Sequence, residues 1–68
     1  MVADHDLSAR ELDILRGLMK GYSYKLIADE LGISLDTVRS HIRNVYDKLQ
    51  VNSKTEAILK AMKEGWVG

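Results

Sequence analysis

The sequence predicts an all-α domain of four helices, and three observations carry that expectation. No proline occurs in the 68 residues, and no valine- or isoleucine-rich alternating run signals a strand. Apolar residues recur instead at helical spacing through most of the chain. Ser8, Ser23, Ser34 and Ser53 each stand just ahead of such a periodic segment, where an N-cap belongs.

Ser8 opens the run SARE, a capping box with Glu11, and Leu7 and Leu12 hold the two positions of a hydrophobic staple. A helix over residues 8–20 follows, to within about two to four residues at each end. Leu12, Leu15, Leu18 and Met19 cover its buried side. Ser23, with Tyr22 and Ile27 as its staple, starts a second helix over 23–31 that buries Ile27, Ala28 and Leu31. Ser34, between Ile33 and Val38 in the same register, starts a third over 34–49. At 100° per residue, Val38, Ile42, Val45 and Leu49 fall in one narrow arc, and Asp36, Arg39, Ser40, Arg43, Asn44 and Asp47 in the opposite one. Ser53 opens SKTE, a second capping box with Glu56, for a helix over 53–64.

Between the second and third helices, Gly32 can take the left-handed conformation that ends a helix. Ile33 then turns inward and Ser34 caps the next helix, so the two are joined by a short turn and meet steeply, as in a helix-turn-helix. Small Ala28 lies one turn before Gly32, where the helices approach closely. This packing leaves Arg39 and Arg43 outward, roughly 6 Å apart along the axis at 1.5 Å per residue. Such a pair can address guanine edges in a DNA major groove, and Ser40 between them is short enough for close approach.

The fourth helix has more apolar surface than one core needs. Ala57, Ile58, Leu59, Ala61 and Met62 spread over about 200°, against the roughly 100° of a single buried stripe. With Ala57, Ile58 and Ala61 inward, Leu59, Met62 and Thr55 remain for a partner. Beyond Gly65, Trp66 and Val67 are expected to fold back and close the core. Residues 1–6 are polar and acidic, a flexible N-terminal tail; residues 7–68 make one domain, with no room for a second.

Composition narrows the chemistry. Cysteine is absent, which removes disulfides, thiolate metal sites and cysteine nucleophiles together, and suits a reducing cytoplasm. No apolar run exceeds three residues, as at Ala57 to Leu59, so no membrane span or signal peptide is expected. Ten Lys and Arg balance ten Asp and Glu, which argues mildly against nucleic acid. The neutral total hides a gradient, however. Asp4, Asp6, Glu11 and Asp13 outweigh Arg10 at the N-terminus, and Arg39, Arg43 and Lys48 outweigh Asp47 on the third helix. Four of the serines are spent as caps, Ser40 has no evident base, His5 lies in the polar tail, and no metal-ligand spacing or phosphate-binding glycine loop appears. Neither catalysis nor a cofactor is expected.

Four ordered blocks, LSARELDIL, GYSYKLIADELGIS, TVRSHIRNVYDKL and VNSKTEAILKA, together resemble the C-terminal DNA-binding domain of the LuxR family, the group of the NarL- and FixJ-type response regulators. The likeness runs from Leu7 to Val67. It implies a bacterial transcriptional regulator's double-stranded-DNA-binding domain, with the third helix as recognition helix. Arg39, Ser40 and Arg43 would read bases; Lys25, Thr37, Lys48 and Lys54 would contact the backbone and hold register without reading sequence. It also implies a homodimer through the fourth helix at Thr55, Leu59 and Met62, and RNA polymerase as a further partner. His41, at the edge of the buried stripe, is expected to pack or hydrogen-bond within the domain. Ala9 stands where the family usually has proline, a small change at a first helical position. Leu26 stands where glutamate is common and removes any polar contact made there. The family usually joins this domain to a receiver or ligand-binding domain, so both an excised domain and a free-standing regulator stay open.

Two other non-enzymatic readings stay open as well. The block GYSYKLIADELGIS also resembles the promoter-reading end of extracytoplasmic-function sigma factors, but such a module typically finishes soon after its recognition helix. A helical protein-interaction module without DNA binding is favoured by the zero net charge and disfavoured by the arginine pair.

Overall fold

The four serines cap four helices. In the computed structural model, which describes residues 7–65, these are α1 (Ala9–Met19), α2 (Tyr24–Leu31), α3 (Leu35–Leu49) and α4 (Lys54–Glu64). The serine Oγ atoms accept from the backbone amides of Glu11 at 3.1 Å, Leu26 at 3.1 Å, Thr37 at 3.1 Å and Glu56 at 3.2 Å. Each bond satisfies an otherwise orphaned first-turn donor and contributes about 1 kcal/mol. The box at α1 is complete, because the Ser8 amide donates back to Glu11 Oε1 at 2.9 Å. At α4 the expected second box closes differently, since the carboxylate of Glu56 takes the amide of Asn52 at 2.9 Å. Ser53 is far more extended, with φ −149° against −71°, −70° and −76° at the other caps.

Three helix ends share one arrangement of hydrogen bonds. Gly21 and Tyr22 donate to the carbonyls of Leu18 and Gly17, Gly32 and Ile33 to those of Asp29 and Ala28, and Gln50 and Val51 to those of Asp47 and Tyr46. Each pair forms a Schellman closure and needs a left-handed residue at its centre. Gly32, at φ 68° and ψ 34°, is one such residue and breaks the backbone between α2 and α3.

α3 is the axle of the fold. Its stripe of Val38, Ile42, Val45 and Leu49 is buried along its whole length, as the periodicity predicts. On one side, Leu7, Leu15, Ala57 and Ala61 join Val45 and Leu49 between α1, α3 and α4. On the other, Ile14, Leu18, Ile27 and Ala28 join Val38 and Ile42 between α1, α2 and α3. The buried side of α1 is rotated from the sequence expectation. Leu15 and Leu18 are buried, but Leu12 and Met19 are only partly so, and Ile14 is completely enclosed. Contacts from α2 as well as from α3 and α4 draw that arc toward Ile14. Ile58 and Leu31 also line the core from its margin.

Glu11 sits in the middle of this rotated arc. It is 5 % exposed, the buried charged residue among those described. Lys60 of α4 donates to the Leu49 carbonyl at 2.8 Å and so caps the C-terminal end of α3, where a cation is favoured by the helix dipole. The expected tail at residues 1–6 and the expected plug of Trp66 and Val67 lie outside the described residues.

Candidate nucleic-acid interface

Docking of α3 by its apolar stripe determines what it presents. Asp36, Arg39, Ser40, Arg43, Asn44 and Asp47 are all exposed. Arg39 Nη1 lies 3.7 Å from Asp36 Oδ1, with the side chains 59 % and 93 % exposed. An ion pair so open to water is worth about 0–1 kcal/mol, so Arg39 is easily drawn to another acceptor. Arg39, Ser40 and Arg43 therefore share one open face of α3.

The residues expected at the DNA backbone are distributed over three helices. Lys25 is exposed in the first turn of α2, and Lys54 is exposed at the first position of α4. Thr37, half-buried in the first turn of α3, is held by Ser34, the two hydroxyl oxygens being 2.8 Å apart. Lys48 lies on the flank of α3 facing α1, with its Nζ 2.8 Å from Glu11 Oε1. Of these four, then, it alone is tied to a buried carboxylate. Burial by itself would raise the carboxyl pKa of Glu11. The hydrogen bond from Lys48, the Ser8 amide, and the charges of Lys48 and His41 together outweigh that effect and hold it below its ordinary value.

A second tie lies on the opposite flank. Tyr46 of α3 and Tyr24 of α2 pack against the same apolar cluster, and the Tyr46 phenol is pushed up to about 12, by burial first and then by the neighbouring Tyr24. α3 is thus fastened to α1 through Glu11 and Lys48, and to α2 through the two tyrosines. Neither tie was anticipated from the sequence, although Glu11 stands in register with Ile14, Leu15 and Leu18 at spacings of three, four and seven. A charge at the centre of an apolar stripe is a legible request for a partner. The half-buried His41 keeps its Nδ1 enclosed, with no hydrogen-bond partner among the described residues.

On α4, Leu59 and Met62 are each 60 % exposed, and Thr55 is exposed beside them. At 100° per residue these three fall within about 60° of one another, opposite buried Ala57 and Ala61. A depression of about 210 Å³ between α1 and α2 is lined by Asp13, Arg16, Gly17, Lys20, Tyr22, Ile27, Glu30 and Leu31. That is below the roughly 300–1,000 Å³ usual for a ligand pocket. Among the described residues no group of three or more His, Cys, Asp or Glu side chains is placed to hold a metal ion. No described helix is long and apolar enough to cross a membrane.

Comparison with known proteins bears on this geometry. Residues 5–61 match the family model described as bacterial regulatory proteins, luxR family. The transcriptional regulatory protein DegU of Brevibacillus brevis is 40% identical over 63 residues, which is 93% of this chain and 27% of that protein. YdfI of Bacillus subtilis is 42% identical over 59 residues, 87% of this chain and 28% of the relative. The response regulator protein VraR of Staphylococcus aureus is 36% identical over 61 residues, 90% and 29% of the two chains. The crystal structure of full-length FixJ from B. japonicum superposes with a TM-score of 0.83 at 39% identity, covering 97% of this chain and 32% of that one. The chain thus spans about a third or less of the length of each of these relatives.

Proposed function

The chain belongs to the luxR family of bacterial regulatory proteins as a helix-turn-helix DNA-binding domain, and from that premise we propose that it reads a specific duplex sequence by laying α3 in the major groove. The observation that carries this reading is the open face of Arg39, Ser40 and Arg43 on a helix whose opposite side is buried throughout. Two guanidinium groups one turn apart match the N7 and O6 acceptors of guanine, each good bidentate contact being worth about 1–3 kcal/mol of discrimination. Lys25, Thr37, Lys48 and Lys54 contact the sugar–phosphate backbone and set register.

Two copies pair through Thr55, Leu59 and Met62 of α4 and place their α3 helices in half-sites about one helical turn, 10–10.5 bp, apart. The exposed apolar pair on α4 supports this arrangement. The domain then acts in the bacterial cytoplasm as the output of a transcriptional regulator, bringing the remainder of such a protein to a promoter and to RNA polymerase. The names of DegU and VraR support that role. Against a sigma-type module stands α4, capped, complete and packed onto α3.

Selection of bound fragments from a random duplex pool, followed by fluorescence anisotropy on the recovered sequence, tests the reading. The expected result is a two-fold symmetric site bound much more tightly than random duplex. Equal binding to every sequence would refute it, and no binding at all would favour the protein-interaction module instead.

A further inference from the structure

An acid stands near the middle of the outward face of α3. Measured around the helix from the direction opposite the buried stripe, Ser40 lies about 10° away, Asp36 about 30°, Arg43 about 50° and Arg39 about 90°, at 100° per residue. A helix that lays Arg39, Ser40 and Arg43 in a groove therefore brings Asp36 in with them. Asp36 is the second residue of α3, and the leading end of a recognition helix is the part that meets base edges. Its side chain is 93 % exposed, with Oδ1 3.7 Å from Arg39 Nη1. So loose a pair leaves both groups able to turn toward bases.

A carboxylate in that position is selective. It accepts hydrogen bonds and donates none, and stripping water from it against DNA is costly unless a donor meets it. The donors on the major-groove edges are the amino groups at cytosine N4 and adenine N6, but adenine sets the N7 acceptor beside its donor, guanine presents N7 and O6, and thymine presents O4. Cytosine is thus the one base that offers a carboxylate a donor and no acceptor. Arg39 is the complement, with donors alone, and suits guanine. Its positive charge also offsets that of the acid, more strongly as water leaves the groove. Three residues rise about 4.5 Å along the helix, close to the roughly 3.4 Å between stacked bases, so the two side chains address neighbouring base pairs.

We propose that Asp36 is a fourth base-reading residue, one that accepts from the N4 amino group of a cytosine next to the guanine read by Arg39. The inference rests on the DNA-binding reading above and adds a specificity-determining acid to it. Cytosine is admitted at that position, and each of the other three bases is disfavoured by about 5- to 150-fold.

The test uses Asp36→Ala and the near-isosteric Asp36→Asn, with circular dichroism confirming that each is folded. Fragments are selected from a random duplex pool by wild type, by both variants and by Arg39→Ala, and anisotropy compares affinities on the duplex selected by the wild-type chain. Wild type should select a site with one position held to cytosine, beside the guanine that Arg39→Ala relaxes. Asp36→Ala should lose that cytosine preference and no other. Exchanging the cytosine for thymine should cost wild type about 5- to 150-fold in affinity and Asp36→Ala less than about twofold. Asp36→Asn, whose amide adds a donor, should admit adenine as well.

An acid that merely repels phosphates would, once removed, tighten binding to every duplex alike and leave the selected bases unchanged. One that merely favours the start of α3 through the helix dipole would lower Tm on removal and leave them unchanged too. Either result overturns the inference. Should Asp36→Ala melt too low to assay, Asp36→Asn decides: admission of adenine supports the inference, and an unaltered site overturns it. Wild-type chain that binds no duplex, or all duplexes equally, overturns the DNA-binding reading itself; a selective wild type with the same site in the folded variants overturns this inference alone.

Discussion

Replacing Gln50 with glycine should make the domain more stable. Gln50 ends α3 at φ 58° and ψ 47°, and among the described residues it alone bears a side chain at positive φ, where Gly21, Gly32 and Gly65 fill the other such positions. Holding an L-residue there costs about 1–2 kcal/mol. Glycine removes that cost but loses roughly 0.5–1 kcal/mol more backbone entropy on folding. The difference is a net gain of about 0.5–1 kcal/mol. At roughly 4–8 °C per kcal/mol for a domain of this size, Tm should rise by about 2–8 °C in a circular-dichroism melt. The closing bonds from Gln50 and Val51 to the carbonyls of Asp47 and Tyr46, at 3.2 and 3.0 Å, use backbone atoms only and survive the change. Gln50→Ala keeps the unfavourable φ and should stay within about 0.5 kcal/mol of wild type, while Gly32→Ala, at φ 68°, should lower stability by about 1 kcal/mol. A Gln50→Gly variant melting at or below wild type would refute the reasoning, because no packed side chain is lost to offset the relief.

Arg39→Ala and Arg43→Ala should each cost about 1–3 kcal/mol on the selected duplex and relax base preference there, with far smaller losses on random DNA; equal losses on both would contradict base reading. Lys54→Ala should weaken all duplexes alike and make the salt slope shallower by about 0.9, so an unmoved slope removes it from the backbone contacts. The carboxyl of Glu11 is held below its ordinary value of 4.5, so the stability it adds is fully present above that pH and is lost as pH falls through the lowered value. Melts of wild type and Glu11→Gln against pH should therefore converge in acid, and parallel curves would count against the assignment. Leu59→Glu, at a 60 % exposed position, should leave Tm within about 0.5 kcal/mol equivalent while abolishing paired occupancy of a two-site duplex in sedimentation; retained pairing would move the dimer surface elsewhere.

Most of the fold was legible because its information is local. Four serine caps, the glycine corner and the α3 stripe each depend on residues within a turn or two of one another, and all three stand where the spacing puts them. The open arginine face followed directly, since burying one side of a helix exposes the other. Less legible was anything set by tertiary neighbours. The buried arc of α1 turned toward Ile14 because three helices pack on it. The charge bridge between Glu11 and Lys48 joins residues 37 apart, and no local rule announces that separation. Gln50 was missed for a different reason: the backbone required a left-handed residue at the end of α3, and the chain supplies one without the glycine that would have marked it.

The clasping of α3 has one more consequence. A helix moored at its carboxyl end by Lys60, on one flank by Glu11 and on the other by Tyr24 has little freedom to lean or roll when the bases before it are imperfect. In the proposed complex, accommodation falls to the double helix, which must bend, twist or narrow to meet a stiff reader. Operators would then be ranked partly by how cheaply their flanking steps deform, so that base pairs untouched by any side chain still count toward recognition.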